Sequence, residues 1–333
     1  MATLTVPQWI APYQALLKGK ISRTQMQALL KQLLWPVLGI AAFLLLWQLA
    51  ASHINTSLGQ FPGPAAVWEQ AENLVAEHQH ARQREAAFYQ RQEKYVAMRL
   101  AQDPSWQPVQ REYTGAPTFF DQIGTSLVTV MSGFLLASLI AIPLGIVVGL
   151  SSTVHAAVNP LIQLFKPVSP LAWLPLVTMV VSALYTSSDP LVAKSFLNSM
   201  FTVTLCCLWP TLLNTAVGVT SVSQDLMNVS RVLRLRPLAH VRKIVLPSAL
   251  PMMFTGLRLS LGIAWMVLIA AEMLAQNPGL GKFVWDEFQN GSSQSLSRIM
   301  VAVVVIGLIG FLLDRLMLML QRALVWDKSS AQR

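Results

Sequence analysis

The chain has 333 residues, of which 54% are hydrophobic and only 12% are charged. Soluble domains carry roughly 25% charged residues, so this composition excludes an ordinary soluble protein and predicts an integral membrane protein. The net charge of +9 lies beside apolar stretches, where positive residues hold loops in the cytoplasm, so it does not indicate nucleic-acid binding. The N-terminus lacks a short apolar core followed by a small-residue cleavage site, so we expect no cleaved signal peptide.

The first part of the chain, residues 1–34, contains bases and leucines but no acid. This pattern is typical of a cytoplasmic basic amphipathic helix on the membrane surface, although the positive flank of a span has the same charges. Residues 35–51 are apolar and approach the length of roughly 20 residues that crosses a bilayer. They are predicted to form the first transmembrane helix.

Residues 52–122 have a different composition, in which acids and bases nearly balance. Such a balance fits a periplasmic segment, on the side opposite the basic N-terminus. No glycine or proline interrupts residues 65–101. The sequence therefore predicts one or two helices here, which would either project outward or fold back as a hairpin.

A core domain is predicted at residues 123–320, with a cytoplasmic tail at 321–333. Its five apolar stretches are 125–150, 161–185, 195–219, 252–274 and 299–320. Together with the first span they predict an all-α membrane protein with about six transmembrane helices. An even number of crossings places both termini on one side, and their basic residues place that side in the cytoplasm.

The stretch 161–185 is unusual because Pro167, Pro170 and Pro175 interrupt it. Unwound backbone inside a membrane must face protein or a cavity, so we expect this span to be broken there. We interpret residues 151–159 as a short turn and residues 276–297 as an external loop.

The segment 225–247, within a loop at 220–250, is strongly basic and lies between two apolar spans. Ser223 or Asp225 can cap a helix that ends near Arg236, because Pro237 disfavours helical geometry in the residue before it. Pro237 can then begin a second short helix. A helix–break–helix loop at a membrane surface favours docking to a soluble partner over catalysis.

Sequence motifs for catalysis or cofactor binding are missing. There is no glycine–lysine phosphate loop, no paired histidine zinc motif, and no span that offers a histidine and an acid to activate a serine. Cys206 and Cys207 are adjacent within an apolar stretch, and we interpret them as packing residues. We therefore predict a protein that is not an enzyme, binds no metal and binds no cofactor itself.

Arg258 and Glu272 are the two charges that we place inside a span. They are 14 positions apart, roughly 21 Å along one helix, so they cannot pair with each other. Arg258 either extends to the lipid headgroups or supplies a positive group on a path for anions; Glu272 is either a buried acceptor or a functional carboxylate. The candidates that could line a path are Arg258, Thr255, Trp265, Glu272 and Asn198, of which Thr255, Trp265 and Asn198 could equally be packing residues.

The loop resembles the signature of permease subunits of ATP-driven bacterial importers: EAA, three residues, G, nine residues, I-x-LP. Asn228, Val229 and Ser230 stand at the EAA positions, Arg234 stands at the glycine position, and Pro247 ends the motif at the expected spacing. The leading acid is thus replaced by an amide and the glycine by an arginine.

The flanking sequence is similar to the nitrate/sulfonate/taurine importer family and most similar to its nitrate-type members. The resemblance rests on KPVSPLAWLPL (166–176), on FTGLRLSLGIAWMVLIAAEML (254–274), on WDEF, and on FPGPAAVW (61–68). It covers roughly residues 35–68 and 118–326. Residues from about 70 to 116 look like an insertion that usual members lack.

The resemblance implies the type I ABC importer permease fold in a bacterial inner membrane. Two permease copies would form the pathway, a periplasmic binding protein would deliver the substrate, and two cytoplasmic ATPase subunits, carrying ATP and Mg, would each seat one loop helix. The residues to which this implies an ATPase-coupling role are Leu226, Asn228, Val229, Ser230, Arg231, Leu233, Arg234, Leu235 and Pro247.

Three functional hypotheses follow. The first is an ATP-driven importer of nitrate, nitrite or cyanate; the second keeps the machine but carries sulfonate, taurine or bicarbonate. The third is a secondary transporter that uses Glu272 as an ion-coupling site. For the insertion we weigh an external collar that contacts the binding protein or the sister permease against a solvated hairpin without a role in transport.

Overall fold

The computed structural model describes residues 23–56, 59–109, 111–186 and 192–324, with side chains from Leu34 onward. In chain order the elements are α1 (Arg23–His53), β1 (Asn55–Thr56), β2 (Gly59–Gln60), α2 (Pro64–Gln102), α3 (Phe119–Leu150), α4 (Ser152–Phe165), α5 (Pro170–Leu184), α6 (Lys194–Thr220), α7 (Gln224–Val232), α8 (Pro237–His240), a π-helical turn (Val241–Val245), α9 (Leu246–Ala275), α10 (Leu280–Asn290) and α11 (Ser295–Leu324). The chain divides into two units, Met1–Glu69 and Gln70–Arg333.

The first unit contains the first predicted span. Helix α1 runs without interruption from Arg23 through the apolar stretch, so the later residues of the predicted amphipathic segment belong to the same helix as the span. Residues 1–22, on which the rest of that prediction falls, lie outside the described part of the chain. Two antiparallel strands of two residues each, β1 and β2, follow, and Asn55 pairs with Gln60.

The second unit is an all-α membrane protein. With α1, five described helices are long and apolar enough to cross a membrane, and the pair α4–α5 gives a sixth if it counts as one span bent by 101°. This confirms the predicted fold class of about six transmembrane helices. The bend lies at the proline-rich stretch between Phe165 and Pro170, as the sequence predicts.

One local prediction was wrong. Residues 151–159, predicted as a turn, belong mostly to helix α4, whose first turn is capped by the Ser151 hydroxyl accepting from the Val154 N–H at 3.3 Å. Pro160 lies inside this helix, which the membrane environment tolerates better than water does. The broken span therefore begins about nine residues earlier than predicted.

Helix α6 is the centre of the second unit and packs against α3 and α9. The close approach depends on small residues, which let neighbouring backbones come together in membranes. A Cβ at Gly145 of α3 would lie 2.7 Å from the Leu212 carbonyl oxygen of α6. On the other side, the Ser260 hydroxyl of α9 donates to the Cys207 carbonyl at 2.5 Å and accepts from the Thr211 N–H at 3.1 Å. Packing and polar contacts thus fix α6 from both sides.

Most of the insertion, from residue 70 to Gln102, belongs to the 39-residue helix α2, so this segment does not fold back as a helical hairpin. In the second unit, its residues Glu77 and Arg82 form ion pairs with Arg298, at 2.7 Å, and with Asp121. Arg298 also bonds Glu287 of α10 at 2.6 Å. This part of α2 is therefore fastened to the ends of α3, α10 and α11.

The far end of α2 is covered by the chain returning to α3. Tyr95 packs edge-on against Trp106, with ring centroids 6.1 Å apart, and the Tyr113 N–H donates to the Tyr89 hydroxyl at 3.3 Å. Beyond the helix, hydrogen bonds from the hydroxyl and amide of Ser105 hold the pKa of Asp103 below its usual value. The insertion thus has an ordered distal part of its own.

Candidate functional site

The loop between the spans α6 and α9 is built on a helix that ends earlier than predicted. Helix α7 stops at Val232, not near Arg236, because Arg234 has φ +45°. The Leu235 N–H donates to the Ser230 carbonyl at 3.2 Å and the Arg234 N–H to the Arg231 carbonyl at 3.1 Å. These two bonds form a Schellman motif, whose left-handed residue is usually glycine. The motif explains physically why the signature has glycine where this chain has arginine.

Helix α7 presents apolar residues to the outside of the protein. Leu233 is 62% exposed, Val232 81%, and Leu226 and Val229 are 41% and 49% exposed. Asn228 and Arg231 are exposed beside them. An exposed apolar patch with basic residues around it marks an interaction site.

The inner side of the loop is braced. Ser230 is buried, and its hydroxyl is hydrogen-bonded to Nδ1 of His240 on α8 at 2.8 Å. Leu235 is half-buried. Beneath the loop lies a cavity of about 570 Å³, lined by residues that include Gln224 and Met227. Ser230 and Leu235 therefore shape the loop, whereas Leu226, Val229 and Leu233 face outward. Pro247 lies in the first turn of α9.

Arg258 of α9 pairs with Asp314 of α11. Its Nε donates to Oδ1 of Asp314 at 2.5 Å, and Nη2 donates to Oδ2 at 3.0 Å. Both side chains are about two-fifths exposed, at 41% and 38%. The guanidinium therefore binds a carboxylate in the neighbouring helix rather than reaching alone toward headgroups.

Glu272 lies at the other end of α9 and is fully buried. Its carboxylate accepts from the Ser126 hydroxyl at 2.7 Å and from the Gly281 N–H at 3.0 Å. The Ser126 hydroxyl in turn accepts from the Leu280 N–H at 2.8 Å. Glu272 thus joins α9, α3 and the start of α10, as the buried-acceptor interpretation expects.

The remaining path candidates make different contacts. The Trp265 Nε1–H donates to the Ile306 carbonyl at 3.0 Å, and Trp265 lines a pocket of about 210 Å³ together with Arg258. Thr255 is exposed and bonds its own helix at Pro251. Asn198 is buried, and its Oδ1 has no hydrogen-bond partner within the described chain. Two of the five candidates, Arg258 and Trp265, thus line a common pocket.

Asp314 is a site residue that sequence reasoning missed. It lies with Arg315 inside the predicted span 299–320, so Arg258 and Glu272 are not the only charges within spans. The signal was available, because an acid in an apolar stretch needs a partner. Ser126 carried no such signal, since a serine within a span is common and its partner Glu272 is 146 positions away.

The fold and the loop together define a class of protein. Several straight spans and one bent helix pair are combined with a helix–break–helix loop that connects α6 to α9 and carries an exposed apolar patch. This is the architecture of the type I ABC importer permease, the membrane-spanning subunit of an importer.

Comparison with known proteins agrees with this class. Residues 141–326 match the family described as binding-protein-dependent transport system inner membrane component, and the chain belongs to this family. It is therefore a multi-pass inner-membrane permease subunit of the ABC importer type, and such subunits are not catalytic.

Three similar proteins illustrate the range of relatives. The chain is 38% identical over 207 residues to the nitrate import permease protein NrtB of Leptolyngbya laminosa, covering 61% of this chain and 69% of that protein. It is 34% identical over 291 residues to the bicarbonate transport system permease protein CmpB of Synechococcus elongatus, covering 87% and 88%. A solved inward-facing structure of the MetNI methionine ABC transporter is 15% identical, with a TM-score of 0.53 over 62% of this chain and 95% of that one. This last likeness concerns the fold alone.

Proposed function

We propose that the chain is the permease of an ATP-driven importer of nitrate, nitrite or cyanate. The observation that carries the proposal is the α7 loop, whose exposed apolar patch needs a partner outside the membrane. Similarity to NrtB supports nitrate as the cargo. Similarity to CmpB supports bicarbonate as the second candidate. Taurine or another sulfonate is a further candidate, which the same transporter would import with a different binding protein.

The proposed assembly contains two copies of this chain, two cytoplasmic ATPase subunits and a periplasmic binding protein. Each ATPase would seat one α7 helix through Leu226, Val229 and Leu233, and would hold the ATP and Mg. Both termini of the permease would then lie in the cytoplasm, on the side of the basic loop. Closure of the ATPases on ATP would move the spans from inward-open to outward-open.

The docking proposal is tested by replacing Leu233 with aspartate. The side chain is exposed, so the change leaves the fold intact and places a desolvated charge in the interface. Loss of one buried apolar anchor costs 2 kcal/mol or more, so we expect ATPase co-purification and uptake to fall by at least about tenfold. The proposal fails if uptake and ATPase retention persist in the Leu233→Asp complex.

Two controls separate docking from folding. Leu235→Asp changes a half-buried residue, so it should also lower the thermal stability of the isolated permease, which Leu233→Asp should not. Val109→Asp makes the same type of change at an exposed site, 71% accessible, in the periplasmic segment. It should leave ATPase binding unchanged.

The cargo is tested on the intact complex with its binding protein. Nitrate, bicarbonate and taurine are titrated separately, and uptake of each is followed in vesicles loaded with ATP. Nitrate should bind most tightly and drive ATP hydrolysis. Uptake that stops with an uncoupler while ATP is maintained would instead support a secondary transporter with Glu272 as its coupling site.

We also propose that the insertion is an external collar for the binding protein. Its proximal part is fastened to the permease through Glu77 and Arg82, which leaves the distal part of α2 and the returning chain for an external contact. Exposed Tyr95 and Met98, at 49% and 59%, belong to residue types enriched at interfaces.

A further inference from the structure

The pocket between α9 and α11 has a composition that a lipid-facing surface does not have. Arg258 and Asp314 stand at its edge, and Trp265, Gly262 and Gly310 are among the residues that line it. Both helices are candidate membrane spans. Ionised residues inside spans are costly and face a bundle interior or a water-filled cavity. The pair therefore marks a polar opening within the membrane part of the protein.

The pair lies well inside both helices. Arg258 is 12 residues beyond Leu246, roughly 18 Å along α9, and Asp314 is 10 residues before Leu324, roughly 15 Å along α11. The extended guanidinium of Arg258 is directed across to α11, with both bonds made to Asp314. The two bonds to Asp314 therefore set the direction of the Arg258 side chain.

The guanidinium is only partly used. Arginine has five N–H donors in a planar fork, and the bonds to Asp314 are the only side-chain hydrogen bonds that Arg258 makes to the described residues. The pocket of about 210 Å³ far exceeds the roughly 10–15 Å³ that one water requires. Space and free donors are thus available beside the pair for a small hydrated anion.

The geometry of the pair matches that of a bound oxyanion. A planar fork recognises carboxylate and similar oxyanions through two parallel bonds, and Asp314 makes those two bonds to Nε and Nη2. The Asp314 carboxylate therefore occupies the place that the oxygens of nitrate or bicarbonate would take.

We propose that Arg258 is an anion-binding residue of the permease and that Asp314 is its internal competitor. Without cargo, Asp314 neutralises the guanidinium and avoids an unpaired charge in the membrane. A planar monoanion displaces the carboxylate, and the pair re-forms when the anion leaves, which limits how tightly the permease holds its cargo. This inference rests on the proposed importer function and adds the residue that controls release.

The test uses the complex of permease and ATPase subunits in lipid nanodiscs, without the binding protein, and nitrate as the probe. Asp314→Asn removes the competing charge and keeps the shape, so we expect equilibrium dialysis to show nitrate affinity raised by about tenfold, the value of one charge-assisted hydrogen bond. Arg258→Gln should abolish this binding. An unchanged affinity in Asp314→Asn would overturn the inference.

A neutral double variant separates anion binding from a merely structural pair. Arg258→Gln with Asp314→Asn leaves no unpaired charge, so a structural pair would regain wild-type uptake, and that result would overturn the inference. We expect assembly without uptake. Arg315→Gln is the matched control, because this neighbouring guanidinium lies over the Phe311 ring, 4.9 Å from its centroid, and should leave nitrate binding unchanged.

Two further measurements keep the outcome decisive. If the Asp314→Asn complex does not assemble, Arg258→Lys is used instead, because lysine retains the positive charge without the planar guanidinium fork. We expect this variant to assemble with nitrate affinity lowered about tenfold. Unaltered nitrate affinity would refute the role of the guanidinium fork. Wild-type complex that shows no ATP-dependent uptake of nitrate, bicarbonate or taurine would refute the proposed function itself. Normal wild-type uptake with unaltered Asp314→Asn affinity would refute only the inference.

Discussion

Replacing Arg234 with glycine should stabilise the loop that ends helix α7, although it removes a charged side chain. Arg234 has φ +45°, a conformation that costs a residue with a Cβ about 1–2 kcal/mol. Glycine avoids this cost but loses more backbone entropy on ordering, which offsets about 0.5–1 kcal/mol. The net gain expected for Arg234→Gly is therefore roughly 0.5–1 kcal/mol.

Hydrogen exchange at the Leu235 amide measures this gain locally. That amide donates to the Ser230 carbonyl in the motif that ends the helix, so its exchange reports opening of the loop. A gain of 0.5–1 kcal/mol slows exchange about two- to fivefold. The change in exchange should be confined to the loop, because local opening does not require the spans to unfold.

Two matched variants distinguish backbone strain from charge. Arg234→Ala also removes the charge but keeps a Cβ, so its Leu235 amide should exchange at the wild-type rate or faster. Arg234→Asn should lie between alanine and glycine, because asparagine tolerates the left-handed region. Equal exchange rates in Arg234→Ala and Arg234→Gly would refute the strain argument.

Two predictions remain, one for the packing of helix α10 and one for the insertion. Gly281→Ala places a Cβ against the Ile269 carbonyl and 2.9 Å from Cβ of Glu272, so it should cost about 1–3 kcal/mol and lower the midpoint of thermal unfolding by several degrees. Gly124→Ala, whose added Cβ would meet open space, should leave the midpoint unchanged, and equal midpoints for the two variants would contradict the packing at Gly281. Replacing residues 90–112 with a short glycine–serine linker removes the distal collar and leaves Glu77 in place, so binding-protein affinity should fall while the permease stays assembled; unchanged affinity would exclude the collar.

The spans and the loop could be predicted because their physical causes are local. Long apolar stretches identify membrane helices, and the prolines from Pro167 to Pro175 identify the broken span. Pro237 predicts an end of α7 near Arg236, which is four residues too late. The actual stop is the left-handed Arg234, a conformation that an arginine gives no reason to expect.

The partners of the charged residues could not be predicted from the sequence. Arg258 and Asp314 are 56 residues apart, and Ser126 and Glu272 are 146 apart. Periodicity and spacing describe one helix at a time, whereas these pairs depend on which helices meet and at what height. Sequence reasoning therefore identified the charges on α9 but not what they bind.

Helix α9 connects the loop with both polar sites, the Arg258–Asp314 pair and the buried Glu272, and its contacts differ along its length. Glu272 is held by hydrogen bonds from α3 and α10, and Trp265 is tied to α11 through Ile306. Arg258 lies seven residues, roughly 10 Å, closer to the loop than Trp265, so a bend of about 20° in α9 at Trp265 would move it by roughly 3–4 Å, while Glu272 on the other side of Trp265 would stay in place. That movement exceeds the tolerance of a hydrogen bond. A displacement of the loop that bends α9 at Trp265 would thus break the Arg258–Asp314 pair while the Glu272 contacts stay closed. On the proposed function, this would link ATPase docking to the availability of the guanidinium.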